Sequence, residues 1–514
     1  MTYVNKAGEL RLSKNKITDI QDYKQKDKLL GYNLPDSGKV PGNGGIGRRL
    51  LNNLIDRKWL LLGMVLFTLI ICLPTPDGLS NEGKYAIGLW VFIVVCFLTE
   101  AVPLPVTAMI IGTYQVVAGI HTFQEVPRTF MDDAVVFIMG ILMLGAMLVK
   151  YNIHNKVALF MLKISGTRID RVVLGMVAFC ALSAAFITEH ATVTIMFPIG
   201  VGIVSLSGGI KKVPKLGKLM MLSIAYGVII GGIATPSGGA RNAIMLSFLS
   251  GIGIHVSYGQ WMLMALPLTL LLIPIVTYWL LRLFKPEVDD LKEVLERIHQ
   301  ELNADGPMTS QAKMALTIFL GVVVGWVLLS RQFGVGNIAM LGIILAVVLR
   351  LVDWNYLQQK TQWGVVVLYA GAISMGKMLV STGAAVWLAQ KVLDVATALE
   401  VTKGLSLLAA TTTITAIVTN TMADGPAVAM LGPVFISVAE LSGTPPLAIG
   451  VATSLGAAFS YLLVIATPAN AIVYGPGFLK ASDFLKAGSV LFLISLVLTI
   501  AVLAGIWWLS LGIW

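Results

Sequence analysis

The stretch AIVTNTMADGPAVAMLGPV, residues 416–434, interrupts a long apolar part of the chain. It contains a run of polar and helix-breaking residues: Thr419, Asn420, Thr421, Asp424, Gly425 and Pro426. Backbone at membrane depth leaves a helix only where it is buried in protein or lines a wet cavity. Glycine permits such a turn, and proline starts the next helix without losing a needed donor. The stretch therefore predicts the tip of a re-entrant helical hairpin. A kinked span whose polar side chains satisfy neighbouring backbone is the alternative.

The composition places most of the chain in lipid. Of its 514 residues, 56% are hydrophobic and 12% are charged, and the mean hydropathy is +0.83. A soluble domain carries roughly 25% charged residues. Apolar runs of about 17–25 residues recur along the chain, and each is long enough to cross a hydrocarbon core of about 30 Å. The sequence predicts an all-α, multi-pass membrane protein.

The net charge of +10 is concentrated at the N-terminus, where residues 1–58 hold twelve Lys and Arg. Nucleic-acid binding is one interpretation of such a segment. The positive-inside rule explains it with fewer assumptions, by keeping the N-terminus in the cytoplasm of a plasma-membrane protein. We therefore expect no nucleic-acid partner. No apolar core follows Met1, so no cleavable signal peptide is visible.

A hydrophilic stretch divides the membrane part into two halves. Residues 285–313 carry apolar side chains at helical spacing, which predicts a linker with a short surface helix. The predicted organisation is a cytoplasmic basic segment at 1–58, a first membrane repeat at 59–284, a cytoplasmic linker at 285–313 and a second membrane repeat at 314–514.

The two halves repeat one pattern of interruptions. Pro198 and Pro433 close similar strings 235 residues apart (433 − 198), and the string NAI begins at Asn242 and again at Asn470, 228 residues apart (470 − 242). Polar breaks in matching order in two halves indicate a transporter with its binding site between inverted repeats. Chance similarity between short apolar strings is the alternative.

Four strings resemble the divalent anion/sodium symporter family, which carries di- and tricarboxylates and sulfate. They are LTEAVPLPVTAM (98–109), TQWGVVVLYAGAISMG (361–376), VTNTMADGPA (418–427) and IATPANAIVYGPG (465–477). The resemblance implies two inverted-topology repeats, each with a re-entrant hairpin and a broken helix. It also implies an elevator-type transporter, usually a homodimer, with a scaffold and a transport domain. In that family a Ser-Asn-Thr tip and a Thr-Pro-Pro-Asn break from each half hold the substrate, with sodium ions beside them.

This chain departs from the family pattern at both tips and at one break. The first tip reads Thr188-Glu189-His190, and the first break reads Gly239-Ala240-Arg241-Asn242. The second break keeps Thr467-Pro468-Ala469-Asn470. At the second tip two registers remain open, because counting from the triplet selects residues 419–421 and counting back from the proline selects 423–425.

The candidate residues follow from the breaks and from the resemblance. The predicted substrate-binding residues are Thr188, Glu189, His190, Arg241, Asn242, Asn420, Thr421, Asp424, Gly425, Thr467, Pro468 and Asn470. The resemblance implies a possible sodium site at Thr419, Asn420, Ala466 and Ala469. No other cofactor is expected.

Ionisable groups at these breaks bear on mechanism, since charge at membrane depth costs several kcal/mol unless it is paired. One interpretation is that Arg241 or His190 supplies the fixed positive charge that a first sodium provides elsewhere. An internal Glu189–Arg241 pair that neutralises itself is the second, and the two are not exclusive. An arginine stays charged at physiological pH. An empty carrier with that charge would cross reluctantly, which favours dicarboxylate exchange.

The predicted function is secondary transport of small dicarboxylates of the succinate, malate and 2-oxoglutarate class, as an exchanger. Sodium-coupled symport of di- or tricarboxylates or of sulfate is the alternative. A membrane enzyme or sensor is a remote one. The chain contains no HExxH, Walker A or GxSxG motif, so no catalytic residues are assigned.

Overall fold

The computed structural model describes residues 58–303 and 306–514, and the regular elements in these ranges are helices. The predicted basic segment, except for Lys58, lies outside the described residues. Ten of the described helices are long and apolar enough to cross a membrane. The chain is a multi-pass membrane protein.

The first half contains eleven described helices before the linker. They are α1 (Lys58–Cys72), α2 (Asn81–Thr99), α3 (Leu104–Val117), α4 (Glu125–Phe130), α5 (Asp133–Lys150), α6 (Ile153–Ser165), α7 (Ile169–Ile187), α8 (Glu189–Leu206), α9 (Pro214–Gly231), α10 (Ala240–Gly251) and α11 (Tyr258–Leu283).

The linker and the second half contain another eleven described α-helices, one 3₁₀ turn and one π-helical segment. The helices are α12 (Lys292–Asn303), α13 (Ser310–Phe333), α14 (Val335–Val348), α15 (Trp354–Lys360), α16 (Trp363–Ser381), α17 (Ala384–Ala398), α18 (Gly404–Thr419), α19 (Asp424–Ser442), α20 (Pro446–Ala457), α21 (Pro468–Tyr474) and α22 (Ala481–Val497). A 3₁₀ turn covers Val464–Ala466, and a π-helical segment, Leu498–Trp508, extends α22.

The linker packs against the short connections of the first half. Glu287 accepts hydrogen bonds from the backbone N–H groups of Lys215 (2.8 Å) and Leu216 (3.0 Å) at the start of α9. Thr167, in front of α7, donates to the carboxylate of Asp290 at 2.7 Å. The starts of α7 and α9 therefore lie on the same side of the protein as the linker, and we call this side the linker face.

Helix α5 connects the linker face with the opposite face. Its 18 residues span about 27 Å. Lys150, near its C-terminal end, donates to the carbonyl of Leu351, whereas Asp132 caps its N-terminus by accepting from the N–H of Ala134. Asp132 also pairs with Lys377 of α16. This pair joins the two halves at the opposite face.

The order of elements recurs in the two halves. In each, two helices joined by a short connection (α7–α8 and α18–α19) precede a helix with an irregular interruption (α9–α10 and α20–α21). The halves interlock, because α10 packs against α19 and α20, and α21 packs against α8 and α9. The interruptions of both halves consequently meet inside the protein.

Candidate functional site

The two hairpins place an acidic residue at the same position. Helix α8 begins at Glu189 and α19 begins at Asp424, and each residue lies nine positions before the proline of its own helix (198 − 189 and 433 − 424). The structure therefore pairs Thr188-Glu189-His190 with residues 423–425, which is the register counted from the proline. The 419–421 triplet belongs to the end of α18 and the connection behind it.

Arg241 joins these two acids. Its Nη1 donates to Oε1 of Glu189 at 2.7 Å and to Oδ2 of Asp424. The Arg241 side chain is 1% exposed, whereas the carboxylates are 15% and 17% exposed. The internal Glu189–Arg241 pair is thus present, with Asp424 as a third member contributed by the other half. Two carboxylates contact Arg241, so its positive charge is compensated in this arrangement; its role toward substrate stays a prediction.

Two glycines make room for this ion cluster of Glu189, Arg241 and Asp424. A Cβ on Gly232 would lie 1.9 Å from Oε1 of Glu189 and 2.7 Å from Nη2 of Arg241. A Cβ on Gly239 would lie 2.7 Å from Nη1 of Arg241. Distances under 3 Å require something to move, so the guanidinium fits only because both side chains are absent. Both glycines come from the interruption between α9 and α10.

Asn242 and Asn470 hold the two interruptions in the same way. The Nδ2 group of Asn242 donates to the carbonyls of Gly232 (2.8 Å) and Thr235 (2.7 Å). Asn470 donates to the carbonyls of Ser460 (2.9 Å) and Leu463 (3.0 Å), at the same offsets of ten and seven residues. Each asparagine satisfies carbonyls that the interruption releases from helical bonding.

The amide oxygens of these asparagines differ. Oδ1 of Asn242 accepts from the hydroxyl of Ser454 at 2.9 Å. Oδ1 of Asn470 is buried and has no hydrogen-bond partner among the described residues. A buried amide oxygen without a donor is a costly arrangement that a bound cation would relieve. In the second interruption, Asn470 is therefore the residue whose chemistry fits a cation.

The side chains of Thr419, Asn420 and Thr421 form hydrogen bonds with backbone groups. Thr419 donates to the carbonyl of Ala457 at 2.8 Å. Asn420 is 3% exposed; its Nδ2 donates to Ala416 and Phe459, and its Oδ1 accepts from the N–H of Leu462 at 2.9 Å. This geometry ties α18 to the second interruption. Thr421, which is exposed, donates to the carbonyl of Val418. A direct contact of Asn420 or Thr421 with substrate stays a prediction.

A cavity of about 460 Å³ lies where the hairpins and interruptions meet. Of the predicted residues, Thr188, Glu189, His190, Asp424, Pro468 and Ala469 line it. The remaining predicted residues lie outside its walls: Arg241, Asn242, Thr419, Asn420, Thr421, Gly425, Ala466, Thr467 and Asn470. Glu189 and Asp424 line the cavity and Arg241 lies behind them. A ligand in the cavity would therefore contact the two acids before it could contact Arg241.

Sequence reasoning missed the wall contributed by α5 and α16. Ile138, Gln362, Val365 and Tyr369 line the same cavity. The TQWGVVVLYAGAISMG string pointed to this region as a family signature, but nothing in it marks Tyr369 as a lining residue. A Cβ on Gly425 would lie 2.2 Å from the Tyr369 ring, so the glycine at the second tip allows this ring to pack closely. A contact of Gly425 with substrate stays a prediction.

The cavity continues toward the linker face. Thr188, His190 and Gln362 also line a second space of about 720 Å³, whose walls include Ile298 of the linker helix and Lys360. We call this space the vestibule. Thr188, at the boundary, has φ 115°, a region that a β-branched residue rarely adopts. Such strain recurs at functional sites.

Helix N-termini converge on the cavity. Helices α8, α10 and α19 begin at Glu189, Ala240 and Asp424, and these three residues line its wall. Each helix end carries roughly half a positive charge. These ends and Arg241 together offset the two carboxylates, so the region combines positive and negative charge within a few residues.

Interrupted helices from two halves that meet around a buried cavity are typical of secondary transporters. The chain belongs to the sodium:sulfate symporter family, because the profile of the "Sodium:sulfate symporter transmembrane region" matches residues 56–514. The predicted resemblance to divalent anion/sodium symporters is confirmed, and the chain is a transporter rather than an enzyme.

Two relatives carry the name sodium-dependent dicarboxylate transporter SdcS. The protein of Staphylococcus saprophyticus is 26% identical over 475 residues, covering 86% of this chain and 90% of the relative. The protein of Staphylococcus aureus strain bovine RF122 / ET3-1 is 25% identical over 483 residues, covering 88% and 92%. The crystal structure of the Alcanivorax borkumensis YdaH transporter aligns with 90% of this chain and 98% of its own, at 15% identity and a TM-score of 0.48.

Proposed function

We propose that the protein carries small dicarboxylates of the succinate, malate and 2-oxoglutarate class across the plasma membrane. The observation that carries this proposal is the convergence of three helix N-termini on one cavity, with Arg241 directly behind its two acidic residues. Such ends attract anions. A volume of about 460 Å³ lies within the range of small-molecule sites. The names of the SdcS relatives support the same substrate class.

The geometry favours coupling to a cation over exchange. Exchange was predicted on the ground that an empty carrier keeps the positive charge of Arg241. With Glu189 and Asp424 both ionised, the ion cluster carries one net negative charge. The argument for exchange from a positively charged empty carrier therefore no longer applies. Sodium is supported as the coupled ion by the names of the relatives and by the unpartnered Oδ1 of Asn470.

Movement and assembly remain proposals that rest on the family resemblance. We propose an elevator movement in which the two hairpins and interrupted helices carry the cavity across the membrane, within a homodimer. The vestibule lies between the cavity and the linker face. With a cytoplasmic linker, the cavity would face the cytoplasm, which is the inward-facing state. Cysteines paired between Ile138 of α5 and Pro236 of the first interruption, which both line the cavity, provide a test: a cross-link should stop transport.

Uptake into liposomes tests the transport proposal. Purified protein is reconstituted, and radiolabelled succinate is added outside with or without sodium and with or without succinate inside. Sodium-dependent uptake into empty liposomes supports symport. Fast uptake only into preloaded liposomes, without sodium, supports exchange. No uptake of succinate, malate or 2-oxoglutarate above protein-free liposomes would refute the proposed substrate class.

A further inference from the structure

We propose that the ion cluster of Glu189, Arg241 and Asp424 is a proton-binding site, and that protons taken up there travel with the dicarboxylate. The inference rests on the proposed function, which it extends by naming a second coupling ion and the residues that bind it. It is carried by the contacts of Arg241, by the walls of the cavity and by charge balance.

The Nη1 group of Arg241 already donates hydrogen bonds to two carboxylates, those of Glu189 and Asp424. Nε and Nη2 are buried and have no partner among the described residues. Gly232 and Gly239 pack against the guanidinium on the side of the interruption. Because Nη1 already donates to both acids, a substrate carboxylate that accepts the hydrogen bond from Nη1 must displace one of them.

The charges show that displacement needs a compensating cation. Two carboxylates and one guanidinium carry one net negative charge, and a dicarboxylate adds two more in a largely buried place. Like charges in such an environment repel strongly, because water no longer screens them. Both Glu189 and Asp424 can remove a negative charge by accepting a proton, and both face the cavity.

The step balances as follows. A substrate carboxylate accepts the hydrogen bond from Nη1 of Arg241 in place of Glu189 or Asp424. The displaced carboxylate takes a proton from hydronium in the vestibule, giving a neutral carboxylic acid and water. When the site opens to the other side and the substrate leaves, the acid releases the proton to water and its carboxylate returns to Arg241. One proton then crosses with each substrate, or two if both acids are displaced.

The other titratable groups around the cluster fit this assignment. His190 lines both the cavity and the vestibule, so it stands on the route between Glu189 and water. From α16, Tyr369 faces the cluster, and from the second interruption Tyr461 lies close enough to be affected by its charge. Lys360 contributes an amine to the vestibule wall. The two phenols are neutral at physiological pH, so His190 and the two carboxyl groups are the groups that can accept a proton here. The double variant Glu189→Gln/Asp424→Asn, which keeps His190, distinguishes the imidazole from the carboxyl groups.

The first experiment measures proton uptake on binding. Succinate binding to the full-length detergent-solubilised protein is followed by calorimetry at about pH 7.5, in buffers of different ionisation enthalpy. Succinate and ordinary carboxyl groups are fully ionised at this pH, so any protons taken up enter the protein. We expect about one proton or more per succinate for the wild type. Binding without proton uptake would overturn the proposal and leave dicarboxylate transport intact.

The second experiment follows transport and uses matched variants. Liposomes containing a pH dye, assayed with and without sodium outside, should acidify inside wherever labelled succinate enters. The readout is the acidification per succinate taken up. The double variant Glu189→Gln/Asp424→Asn should lose it in the uptake that remains, and Glu440→Gln, an exposed acid at the far end of the same helix as Asp424, should keep it. Succinate uptake that requires sodium and moves no protons would assign coupling to sodium alone. Failure of the wild type to take up succinate with or without sodium would instead refute the proposed function.

Discussion

Glu189 and Asp424 are equivalent residues of the two halves that share a single donor, Nη1 of Arg241. They lie 235 residues apart (424 − 189), the same separation as Pro198 and Pro433 in the helices that they begin. Arg241 is the second residue of α10, which follows the first interruption. The ion cluster thus ties both hairpin tips to one interruption, and a change in any member should affect both halves.

Loss of the guanidinium should be the most damaging single change in the cluster. Arg241→Gln leaves two buried carboxylates without their partner, and breaking a buried ion pair in this way costs about 3–5 kcal/mol. We expect a markedly lower thermal-unfolding temperature and little transport. Arg241→Lys should rescue only part of the loss, because an ammonium lacks the planar fork. A variant Arg241→Gln as stable as the wild type would contradict the structural role.

Neutralising both acids should change the mode of transport. The double variant Glu189→Gln/Asp424→Asn leaves Arg241 as an uncompensated charge, the situation that disfavours movement of an empty carrier. We expect uptake of labelled succinate into empty liposomes to fall at least tenfold, while exchange against internal succinate persists. The ratio of the two rates is the measurement. Equal losses in both assays would show that the variant is simply inactive.

A methyl group at Gly232 should disrupt the cluster without changing any charge. In Gly232→Ala the new Cβ would meet Glu189 Oε1 at 1.9 Å, so the carboxylate must leave its place beside Arg241. We expect a loss of about 1–3 kcal/mol in stability, typical of overpacking, together with weaker succinate binding. Gly251→Ala, on α10 with open space around it, is the control and should leave both unchanged.

Substitution of Asn420 should impair folding as well as transport. The sequence alone predicts that Asn420→Ala reduces transport while folding stays intact. The structure corrects the second part, because the side chain is buried and makes three hydrogen bonds with backbone groups. Leaving such groups unpaired costs about 1–3 kcal/mol each. Unfolding temperature and succinate affinity, measured on the same preparation, separate the two effects; Thr421→Ala, whose side chain is exposed, is the control.

Labelling of introduced cysteines tests the orientation. If the N-terminal segment and the linker are both cytoplasmic, Ser13→Cys and Lys360→Cys should react with an impermeant reagent from the same side. Lys360 lines the vestibule together with Ile298 of the linker helix. Asp77→Cys, in the α1–α2 connection, should react from the other side. Reaction of Ser13→Cys and Lys360→Cys from opposite sides would overturn the proposed topology. Cys72, the exposed native thiol, is replaced first.

The sequence by itself determined the class of protein and the positions of its interruptions. Apolar runs, charge depletion and Gly-Pro breaks act over a few residues, so they can be read without knowing the neighbours in space. They predicted a membrane transporter, the hairpin near Gly425 and the breaks near Asn242 and Asn470. The family resemblance rested on strings of the same local kind.

Only the tertiary structure decided which residues meet. Two registers of the second tip were compatible with the sequence, and the start of α19 at Asp424 selects one of them. The partner of Arg241 depends on how α8, α10 and α19 pack, and residues at 189, 241 and 424 are far apart along the chain. Whether Arg241 acts as a free charge or as a shared counter-ion is set by that packing, since the strength of a charge in a buried site depends on the groups within a few ångströms.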